Sequence, residues 1–394
     1  MKKICVVSGA RSEYGQLRWL MENIRAEKEF LLQLVVTGMH LSPEFDLTYK
    51  EIERDGFRID KNIEILLSSD SSVGIAKSIG LGVMGFGEAF QELRPDLVIL
   101  LGDRFEILAA ATAAMIAGLP IAHLHGGEIT EGVLDDSIRH AITKMAHLHF
   151  VAAESYRRRV VQMGESPDCV FVSGGLGVDA IQKTPLLDRR TLESSLKFKF
   201  GKRNLLVTFH PVTLAKDGGA AQMEELLAAL DTLKEVQLII TLPNADTGGR
   251  TLIRMVEKFV ATHPNAKAFT SLGQQRYLSC IAHVDAVVGN SSSGLSEAPS
   301  FKKASVNIGE RQKGRLRAAS VIDCAPLRGD ILAAVEKLYT PAFQATLEAV
   351  RNPYGEGGAS KIIVETIKKI DTRSIQKKGF HDLPSSTDAE GCPN

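Results

Sequence analysis

The chain has 394 residues, in which 47 lysines and arginines balance 47 aspartates and glutamates, so its formal net charge is zero. A chain without excess positive charge lacks the electrostatic footprint of proteins that bind nucleic acid or lie on an anionic membrane. The length suits two domains, and 44% hydrophobic with 24% charged residues is typical of a folded protein that handles a small molecule.

The cysteine content and the apolar stretches also indicate the cellular compartment and whether the chain crosses a membrane. The five cysteines are scattered and form no Cys-x-x-Cys pair, which indicates reduced thiols in a cytoplasmic protein rather than disulfides or a zinc site. The longest apolar stretch, from Ile107 to Ala122, is shorter than about 20 residues and contains Pro120, so we predict no transmembrane helix. The first apolar run ends at Arg11, too early for a signal peptide, and is predicted as a strand.

Short apolar runs alternate with longer amphipathic segments through the first half of the chain. This alternation predicts parallel strands that are covered by helices on both faces of a sheet. The predicted strands are Ile4–Ser8, Leu32–Thr37, Leu97–Leu101, Pro120–Leu124, Leu148–Ala152 and Val170–Val172. The predicted helices are Tyr14–Lys28, Ile75–Leu93, Phe105–Ala117 and Ser137–Ala146.

The polar segment from Lys183 to Arg203 lacks periodicity and is predicted as an inter-domain linker, after which the alternation resumes. The further predicted strands are Leu205–Phe209, Val236–Thr241, Ala266–Thr270, Ala286–Val288 and Ala304–Ile308. The further predicted helices are Met223–Leu233, Leu252–Ala261, Tyr277–Ala282, Ile331–Leu338 and Ala359–Ile370. Two doubly wound α/β units in series leave a cleft between the carboxyl ends of their strands, where such sheets bind ligands.

Gly80, Gly82 and Gly85 match the glycine spacing of a dinucleotide-binding loop. That loop needs a preceding strand and a helix that opens at the glycines. Here the glycines fall inside a helical pattern, 72–93, with no strand directly before them, so we interpret them as sites of close helix packing. We therefore predict no nicotinamide cofactor.

Asp103 and Arg104 directly follow the predicted strand Leu97–Leu101. An acid and a base at the carboxyl end of a strand stand where α/β proteins bind ligands, which favours a functional role. The alternative is that Asp103 caps the helix that follows.

Titratable residues are densest just after the next predicted strand. Within 18 residues the sequence places His123, His125, Glu128, Asp135, Asp136, Arg139 and His140. Helix capping explains one aspartate and a core hydrogen bond explains one histidine, but neither explains the whole cluster. Such clustering favours acid/base chemistry. No His/Cys spacing of a metal site accompanies it, so metal ligation is the weaker interpretation.

The second half carries groups suited to a phosphate. His210 follows the strand Leu205–Phe209, and a structural and a functional role are equally supported. The serine-rich loop Gly289–Gly294 precedes a helical segment with Glu297, and small residues at a helix N-terminus offer N–H and hydroxyl groups to a phosphate. The basic residues within 311–317 either form a solvated loop or bind a diphosphate, for which arginine is well suited.

Taken together, these residues resemble the hydrolysing UDP-N-acetylglucosamine 2-epimerases that open bacterial sialic-acid synthesis. The resemblance runs from Lys3 to about Ile370 and rests on SGARSEYG (8–15), TGMHL (37–41), LGDR (101–104), HGGE (125–128), DDSIRHAITKM (135–145), FHPVT (209–213), PNADTG (243–248), GNSSSG (289–294) and NIGERQKGR (307–315). It implies an α/β protein of the GT-B fold, in which two Rossmann-like, doubly wound domains face a central cleft. The implied domains are 1–182 and 200–352, with a C-terminal helix 357–372 that rejoins the first domain and a polar tail 373–394.

The resemblance also implies a reaction. UDP-N-acetylglucosamine and water would give N-acetylmannosamine and UDP, by anti elimination to a glycal and rehydration, without metal or cofactor. The first alternative is the same chemistry on UDP-2,4-diacetamido-2,4,6-trideoxyglucose (UDP-N,N'-diacetylbacillosamine), toward legionaminic acid. Further alternatives are a non-hydrolysing epimerase, a GT-B glycosyltransferase and a non-catalytic UDP-sugar-binding module. The implied form is a cytoplasmic homodimer without a nucleic-acid or membrane partner.

The site residues of the family carry over by motif. The implied catalytic residues are Asp103, His125, Glu128, Asp135, Arg139 and His210, and the implied substrate-binding residues are Arg11, Arg104, Asn244, Ser291, Ser292, Glu297 and Arg311. Glu297 is suited to the ribose hydroxyls. Many relatives read Glu-Gly-Gly-Glu where this chain has His125-Gly126-Gly127-Glu128, so the proton work falls to His125, Glu128 or Asp103. Gly15 stands where some relatives have serine, which removes one phosphate contact.

Overall fold

The computed structural model describes residues 1–67, 69, 71–130, 133–212, 217, 219–243 and 249–383. Its first sheet has seven parallel strands in the order β3-β2-β1-β4-β5-β6-β7. They are β1 (Lys2–Ser8), β2 (Phe30–Thr37), β3 (Lys61–Ile63), β4 (Leu97–Leu101), β5 (Ile121–Leu124), β6 (Leu148–Val151) and β7 (Val170–Val172). The helices of this half are α1 (Arg11–Ala26), α2 (Tyr49–Arg54), α3 (Ser72–Leu93), α4 (Phe105–Ile116), α5 (Leu134–Met145), α6 (Glu154–Gln162) and α7 (Leu176–Lys183).

The second sheet has six parallel strands in the order β10-β9-β8-β11-β12-β13. They are β8 (Arg203–Thr208), β9 (Val236–Thr241), β10 (Ala266–Phe269), β11 (Ala286–Gly289), β12 (Ala304–Ile308) and β13 (Val321–Cys324). The helices that follow α7 are α8 (Arg189–Leu196), α9 (Ala220–Asp231), α10 (Gly249–Thr262), α11 (Gly273–His283), α12 (Ser293–Ser296), α13 (Arg328–Leu338), α14 (Pro341–Glu348) and α15 (Ala359–Lys369).

Continuous apolar strands place both sheets between layers of helices. The residues from Ile4 to Val7 in β1 and from Leu97 to Leu100 in β4 are fully buried, as expected for strands that are covered on both faces. The strand order reverses beside β1 in the first sheet and beside β8 in the second. Each sheet therefore has a switch point, where neighbouring loops diverge and a ligand crevice opens. The prediction of two Rossmann-like units is confirmed.

The glycines of α3 pack closely against neighbouring elements, in agreement with the interpretation of their spacing. A Cβ at Gly82 would lie 2.8 Å from the Cβ of Ala109 in α4, and one at Gly85 would lie 2.5 Å from Cγ2 of Ile63. Among the described residues, α3 is also the one helix whose length and apolar composition would suffice to cross a membrane. It packs on α4 and β3, and 33% of its apolar window is buried inside the protein.

The segment 183–203 differs from the non-periodic linker that its polar sequence predicted. It contains α8, whose first turn is capped where Asp188 Oδ1 accepts a hydrogen bond from Thr191 N at 3.0 Å. Leu192 and Leu196 of α8 are buried in the core of the second half. Two apolar side chains one turn apart are enough to bury one face of this short helix.

The chain crosses twice between the two sheets, and the crossings lie side by side. The first crossing follows β7 and the second precedes α15, and Gly175 N donates to Tyr354 O between them at 2.8 Å. Beyond the second crossing, α15 packs on α1 and α7, so that Ile363 and Ile367 share a core with Leu17 of α1. The final helix thus completes the core of the first sheet, whereas the domain boundaries at 182, 200 and 352 remain predictions.

Asp179 of α7 caps the start of α15. Its buried carboxylate accepts hydrogen bonds from the backbone N–H groups of Gly358, of Ala359 at 2.9 Å and of Ser360 at 2.7 Å. The first N–H groups of a helix have no partner inside the helix, and an anion there is stabilised by the helix dipole. One side chain therefore ties the returning helix to the first half of the chain.

The tail that was predicted to be polar, 373–394, begins with a segment, 373–383, that contacts the first half. His381 N donates to Gly164 O at 2.9 Å, and the ring of Phe380 lies beside Gly164. The ammonium group of Lys144 lies 5.0 Å from the centre of the Phe380 ring. This part of the tail therefore packs on the fold, and the rest of it, 384–394, lies outside the described residues.

Lys378 in this segment reaches the end of α5 and the buried carboxylate of Glu165, which follows α6. Its Nζ lies 2.7 Å from Glu165 Oε2 and donates to the carbonyl oxygens of Lys144 and Ala146 at 2.6 and 2.7 Å. His149 Nε2 lies 3.0 Å from the same oxygen of Glu165. Burial alone would raise the pKa of Glu165, but the hydrogen bonds from His149, Lys144 and Lys378 outweigh it and lower the pKa to about 2.

Lys378→Gln is expected to lower the free energy of unfolding at pH 7 by about 1–2 kcal/mol, because it removes charged hydrogen bonds to Glu165 and to the end of α5. The lowered pKa of Glu165 means that its ion pairs stabilise the fold above pH ~4.5 and that this stabilisation is lost as the pH falls toward about 2. The difference between variant and wild type should therefore shrink over that range in urea unfolding. Lys377→Gln, at the exposed neighbouring residue, is the control. A difference of equal size at both ends of the range would contradict the ion pair.

Candidate active site

A cavity of about 370 Å³ lies between the two sheets. Residues that follow β1, β4 and β5 form its first wall, and residues that follow β8, β11 and β12 form its second wall. Both walls thus lie at carboxyl ends of strands next to the two switch points, as the doubly wound architecture requires. The volume falls within the range of small-molecule sites.

The residues that the sequence singles out converge on this cavity. Its lining includes the predicted residues Arg11, Asp103, Arg104, His125, Glu128, Asp135, Arg139, His210, Ser291, Ser292, Glu297 and Arg311. Asn244, the remaining predicted residue, lies outside the described residues. The described part of the chain contains no group of three or more His, Cys, Asp and Glu side chains that could hold a metal ion.

Asp103 is held at the cavity by a buried arginine. Nη2 of Arg139 donates to Asp103 Oδ2, and the Arg139 side chain is only 1% exposed. Arg139 also donates to Thr130 Oγ1 at 2.6 Å and to Asp136 Oδ1 at 3.1 Å, so its guanidinium presents Asp103 in one orientation. The N-cap position of α4 belongs to Arg104 and not to Asp103, which removes helix capping as the reason for an acid here.

The two neighbouring aspartates of α5 have different surroundings. Asp135 Oδ2 lies 4.0 Å from Nη2 of Arg311, so Asp135 faces the second wall. Asp136 accepts a hydrogen bond from Thr130 N at 2.6 Å and lies 3.5 Å from His140 Nε2, so it supports the start of α5. Of the pair, Asp135 is the one that lines the cavity.

His123 is a structural member of the histidine cluster. Its Nε2 donates to Gly102 O at 2.7 Å, and burial lowers the pKa of the ring to about 3, so the ring is neutral at physiological pH. The hydrogen bond supports the turn that carries Asp103. A core hydrogen bond thus accounts for one of the three histidines, as the sequence allowed.

His125 and Glu128 form a pair in the turn after β5. The backbone of His125 has φ +64°, a costly conformation for a residue with a side chain. Its Nδ1 lies 3.2 Å from Glu128 Oε1, and Nη2 of Arg315 in the second wall lies 3.4 Å from Glu128 Oε2. Burial alone would raise the pKa of Glu128, but Arg315 and His125 outweigh it and lower the pKa to about 2. Glu128 is therefore an anion throughout the physiological range.

Asn290 organises the second wall. Its side chain accepts a hydrogen bond from His210 N at 2.7 Å and donates to His210 O at 2.9 Å, which joins the loops that follow β8 and β11. Its backbone carbonyl oxygen accepts hydrogen bonds from Arg311 Nη1 at 3.3 Å and from Gln312 Nε2 at 2.8 Å. The side chain and the backbone of this buried residue together fix His210 and Arg311 relative to each other.

A chain of hydrogen bonds places Glu297 deeper in the second wall. Tyr277 Oη donates to Ser293 Oγ at 2.7 Å, and Ser293 Oγ donates to Glu297 Oε2. Burial raises the pKa of Glu297 despite the hydrogen bond from Ser293. The helix predicted after the serine loop is only the four-residue α12, and Glu297 follows it rather than lying within it.

Carboxylates position two arginines of the first wall. Arg104 Nη2 lies 3.2 Å from Glu106 Oε1, and Arg104 Nε lies 3.9 Å from Glu13 Oε1. Burial and the neighbouring Glu106 raise the pKa of Glu13 to about 8, against the effect of Arg104. Arg11 Nη2 lies 2.8 Å from Glu51 Oε1. Both guanidinium groups are thus held at the cavity by side chains outside the predicted set.

Sequence reasoning missed part of the lining and assigned one basic loop too broadly. The missed lining includes Glu13, Met39, Gln274, Tyr277 and Tyr354. The segment 311–317 was treated as one basic group, yet it divides. Arg311 and Arg315 line the cavity, whereas the guanidinium of Arg317 pairs with Asp323 at 2.9 Å outside it. Periodicity could not separate these residues, because they lie in a loop without a repeating face.

The arrangement combines two chemical functions in one cavity. The first wall offers carboxylates and an imidazole, which are the usual groups for moving protons at neutral pH. The second wall offers a guanidinium, a histidine and serine hydroxyls, which suit a phosphorylated leaving group. A cavity with this polarity fits a reaction in which a proton is moved and a phosphate ester is broken.

Comparisons with known proteins agree with the site. The sequence profile of the family "UDP-N-acetylglucosamine 2-epimerase" matches residues 22–368. The chain is 43% identical to "GDP/UDP-N,N'-diacetylbacillosamine 2-epimerase (hydrolyzing)" of Campylobacter jejuni, over 97% of this chain and 99% of that protein. It is 38% identical to "Polysialic acid biosynthesis protein P7" of Escherichia coli, over 98% and 99% of the two chains. It is 36% identical to "UDP-N,N'-diacetylbacillosamine 2-epimerase (hydrolyzing)" of Legionella pneumophila, over 95% and 97%.

A solved structure shares the fold. The UDP-GlcNAc 2-epimerase from Neisseria meningitidis, solved with UDP-GlcNAc bound, superposes with a TM-score of 0.80 at 17% identity. The superposition covers 94% of this chain and 100% of that one. Both sheets and the returning helix are therefore part of one shared GT-B-like architecture.

Proposed function

The chain belongs to the UDP-N-acetylglucosamine 2-epimerase family, and from this premise we propose that it is a hydrolysing 2-epimerase acting on UDP-N,N'-diacetylbacillosamine. The proposed products are UDP and 2,4-diacetamido-2,4,6-trideoxymannose, on the route toward legionaminic acid. UDP-N-acetylglucosamine, the first substrate that the sequence implied, becomes the second candidate.

One observation carries this choice of substrate. The Campylobacter relative, 43% identical over nearly the full length of both chains, is named for the diacetamido sugar. The Legionella relative is named for the same sugar, which adds support. The Escherichia relative is named for polysialic acid, and for that reason UDP-N-acetylglucosamine stays in the comparison.

The second wall suits the departing diphosphate. Cleavage of the C1–O bond develops positive charge on the sugar and negative charge on the phosphate, so cations beside the leaving group stabilise the transition state. Arg311, His210 and the hydroxyls of Ser291 and Ser292 line the cavity at this wall. Glu297, which receives a hydrogen bond from Ser293, is suited to the ribose hydroxyls. We therefore place UDP along the second wall.

The first wall suits the two proton transfers. Inversion at C2 needs a base that removes the proton from one face and an acid that returns it on the other. Asp103, His125 and Asp135 line the cavity here. Glu128 is poorly suited to accept a proton, because its pKa lies near 2 and both of its oxygens have cationic or donor partners. We therefore assign the two proton transfers to His125, Asp103 and Asp135.

The proposed sequence of events balances as a hydrolysis. Loss of the C2 proton and of UDP from C1 leaves a glycal with a C1–C2 double bond. Water then adds its hydroxyl at C1, and a proton returns to C2 on the opposite face. The proton taken from C2 is balanced by the one delivered to C2, and the proton that water loses when its hydroxyl joins C1 goes to the UDP phosphate or to the solvent.

Incubation in deuterated water tests the proposal. We expect UDP-N,N'-diacetylbacillosamine to give free UDP and the manno sugar with deuterium at C2, followed by proton NMR. The value of kcat/KM should exceed that for UDP-N-acetylglucosamine by about tenfold or more, which is the discrimination that a single substituent pocket supplies. A GDP-linked sugar is run in parallel, because the name of the Campylobacter relative includes both nucleotides.

Each other outcome points elsewhere. A product that keeps UDP at C1 would indicate a non-hydrolysing epimerase. Preferred turnover of UDP-N-acetylglucosamine would restore N-acetylmannosamine as the product. Binding of UDP without turnover of any sugar would leave a UDP-sugar-binding module. Homodimer formation and a cytoplasmic location remain predictions that rest on the family alone.

A further inference from the structure

We propose that Arg315 is a positioning residue that acts through Glu128 on His125, fixing the imidazole proton on Nδ1 and leaving Nε2 as the basic nitrogen. The inference rests on the proposed function, since it concerns the proton transfers assigned to His125. Arg315 thereby has a different role from the arginines proposed to bind the diphosphate, although it lies in the same basic segment, 311–317.

The partners of the His125 ring define its tautomer. Nδ1 lies 3.2 Å from Oε1 of Glu128, an ion-pair distance at which the carboxylate favours a proton on that nitrogen. Nε2 faces the backbone N–H of Leu176 at 3.3 Å, and this donor requires an unprotonated nitrogen. The neutral ring therefore carries its proton on Nδ1. The bond to Leu176 is longer than the usual 2.9–3.0 Å, so it marks the basic nitrogen without holding it tightly.

Glu128 can hold the proton on Nδ1 of His125 only while its carboxylate is ionised and keeps its position. Arg315 provides for both conditions. The Glu128 side chain is 4% exposed, and a carboxylate so buried needs a charged partner. Nη2 of Arg315 lies 3.4 Å from the oxygen that His125 does not use. One carboxylate thus bridges a guanidinium of the second wall and an imidazole of the first.

The loop that carries Arg315 is fastened to the first wall. Leu316 N donates to Tyr156 Oη at 3.0 Å, directly beside Arg315 in the chain. Gly314, with φ +86°, lies so close to the first wall that a Cβ there would come within 2.6 Å of Cγ2 of Ile129. These contacts on either side of Arg315 hold its guanidinium at Glu128, so that it does not move to bind a phosphate.

The Glu128–Arg315 pair beside His125 is surrounded by further charged or titratable groups, and together they decide the pH behaviour. Glu128 lies in the turn of His125, Arg139 comes from α5, Asp103 from the end of β4, Tyr156 from α6, and Arg315 and Tyr354 from the second wall and the second crossing. Removal of the positive charge of Arg315 takes away the larger of the two guanidinium influences on Glu128, so its negative charge beside the ring is less compensated. The imidazole is then protonated more readily, and an unprotonated base is lost at a higher pH.

Four variants of the full-length protein test the inference. Arg315→Gln removes the charge, Arg315→Lys keeps it, and Glu128→Gln removes the anion. Lys313→Gln is the matched control, because this basic side chain of the same loop is more than half exposed, lies 3.9 Å from Glu310 and does not line the cavity. The readouts are the pH profile of kcat/KM, the Kd for UDP, and the protonation midpoint of His125 by NMR of protein labelled with ¹⁵N-histidine. The NMR signal is assigned by its absence from His125→Ala.

We expect Arg315→Gln to move the acid limb of the profile and the NMR midpoint up by about one pH unit, and Glu128→Gln to move both down. Arg315→Lys should restore most of the wild-type profile, and the Kd for UDP should stay within about threefold in every variant. Unchanged midpoints in Arg315→Gln and Glu128→Gln would overturn the inference. A rise of tenfold or more in the Kd for UDP in Arg315→Gln alone would also overturn it, because Arg315 would then be a residue that binds the diphosphate.

The NMR and UDP-binding readouts need no substrate. If the wild type turned over none of the sugars, the proposed function would fail while these two measurements still decided the role of Arg315. If the wild type were active and the midpoints did not move, the positioning role alone would fail.

Discussion

Asp103→Asn is expected to lower kcat by about 10²- to 10⁴-fold, the contribution of a positioned acid or base to proton transfer. The substitution keeps the size of the side chain and one acceptor oxygen, but it removes the charge that Arg139 holds at the cavity. The fold should survive, because Arg139 keeps Asp136 and Thr130 as partners. UDP lies along the opposite wall in our proposal, so its Kd should stay within about threefold.

Steady-state kinetics and isothermal titration with UDP check this expectation. Asp96→Asn is the matched control, because Asp96 precedes the same strand at its opposite end, where its carboxylate accepts a hydrogen bond from Lys3 N. The control should keep wild-type turnover. Wild-type turnover in Asp103→Asn would remove this carboxylate from the mechanism, and a large loss of UDP affinity would move it to nucleotide binding.

Asp179→Ala is expected to cost about 3 kcal/mol of unfolding free energy, since it removes a buried anion and leaves helix N–H groups without an acceptor. The N–H groups of Ala359 and Ser360 at the start of α15 are the ones affected. The cost should appear as a lower urea midpoint. Faster proteolytic cleavage at the glycines of the second crossing, Gly355 to Gly358, should accompany it, because the returning helix would detach more often.

Asp188→Ala gives the comparison for this second effect. Asp188 also caps a helix, with Thr191 N as its donor, but it lies at the surface and its loss exposes the N–H groups to water. Its effect on the urea midpoint should be clearly smaller. Equal effects of the two substitutions would show that the position of Asp179 between two halves of the chain adds nothing to ordinary capping.

The alternation of apolar runs and helical segments was sufficient for the architecture. Strands such as β1 and β4 are buried on both faces, so they appear in the sequence as unbroken apolar runs, and the order of segments then implies parallel sheets. The strands that the sequence did not reveal, β3 (Lys61–Ile63) and β13 (Val321–Cys324), lie at sheet edges. They are three and four residues long and partly polar, so they are too short to show a repeating pattern of apolar residues.

Site residues at strand ends could be predicted, and their partners could not. Asp103 and His125 stand directly after apolar strands, so their place at the cleft follows from topology. The pairing of Glu128 with Arg315 joins residues from different sheets, and no local pattern reports a contact of that kind. The same holds for Asn290, whose hydrogen bonds to His210 and Arg311 arise only when the loops meet.

The return of α15 to the first sheet sets an order for folding during synthesis. The second sheet comes from one continuous stretch, 203–324, and can close as soon as that stretch has left the ribosome. The first sheet has all its strands much earlier, but part of its core is Ile363 and Ile367. The half of the protein that is translated first is therefore completed last, in contrast to the usual N-terminal-first order. A nascent chain that stops before α15 would carry an uncovered apolar surface for chaperones to bind.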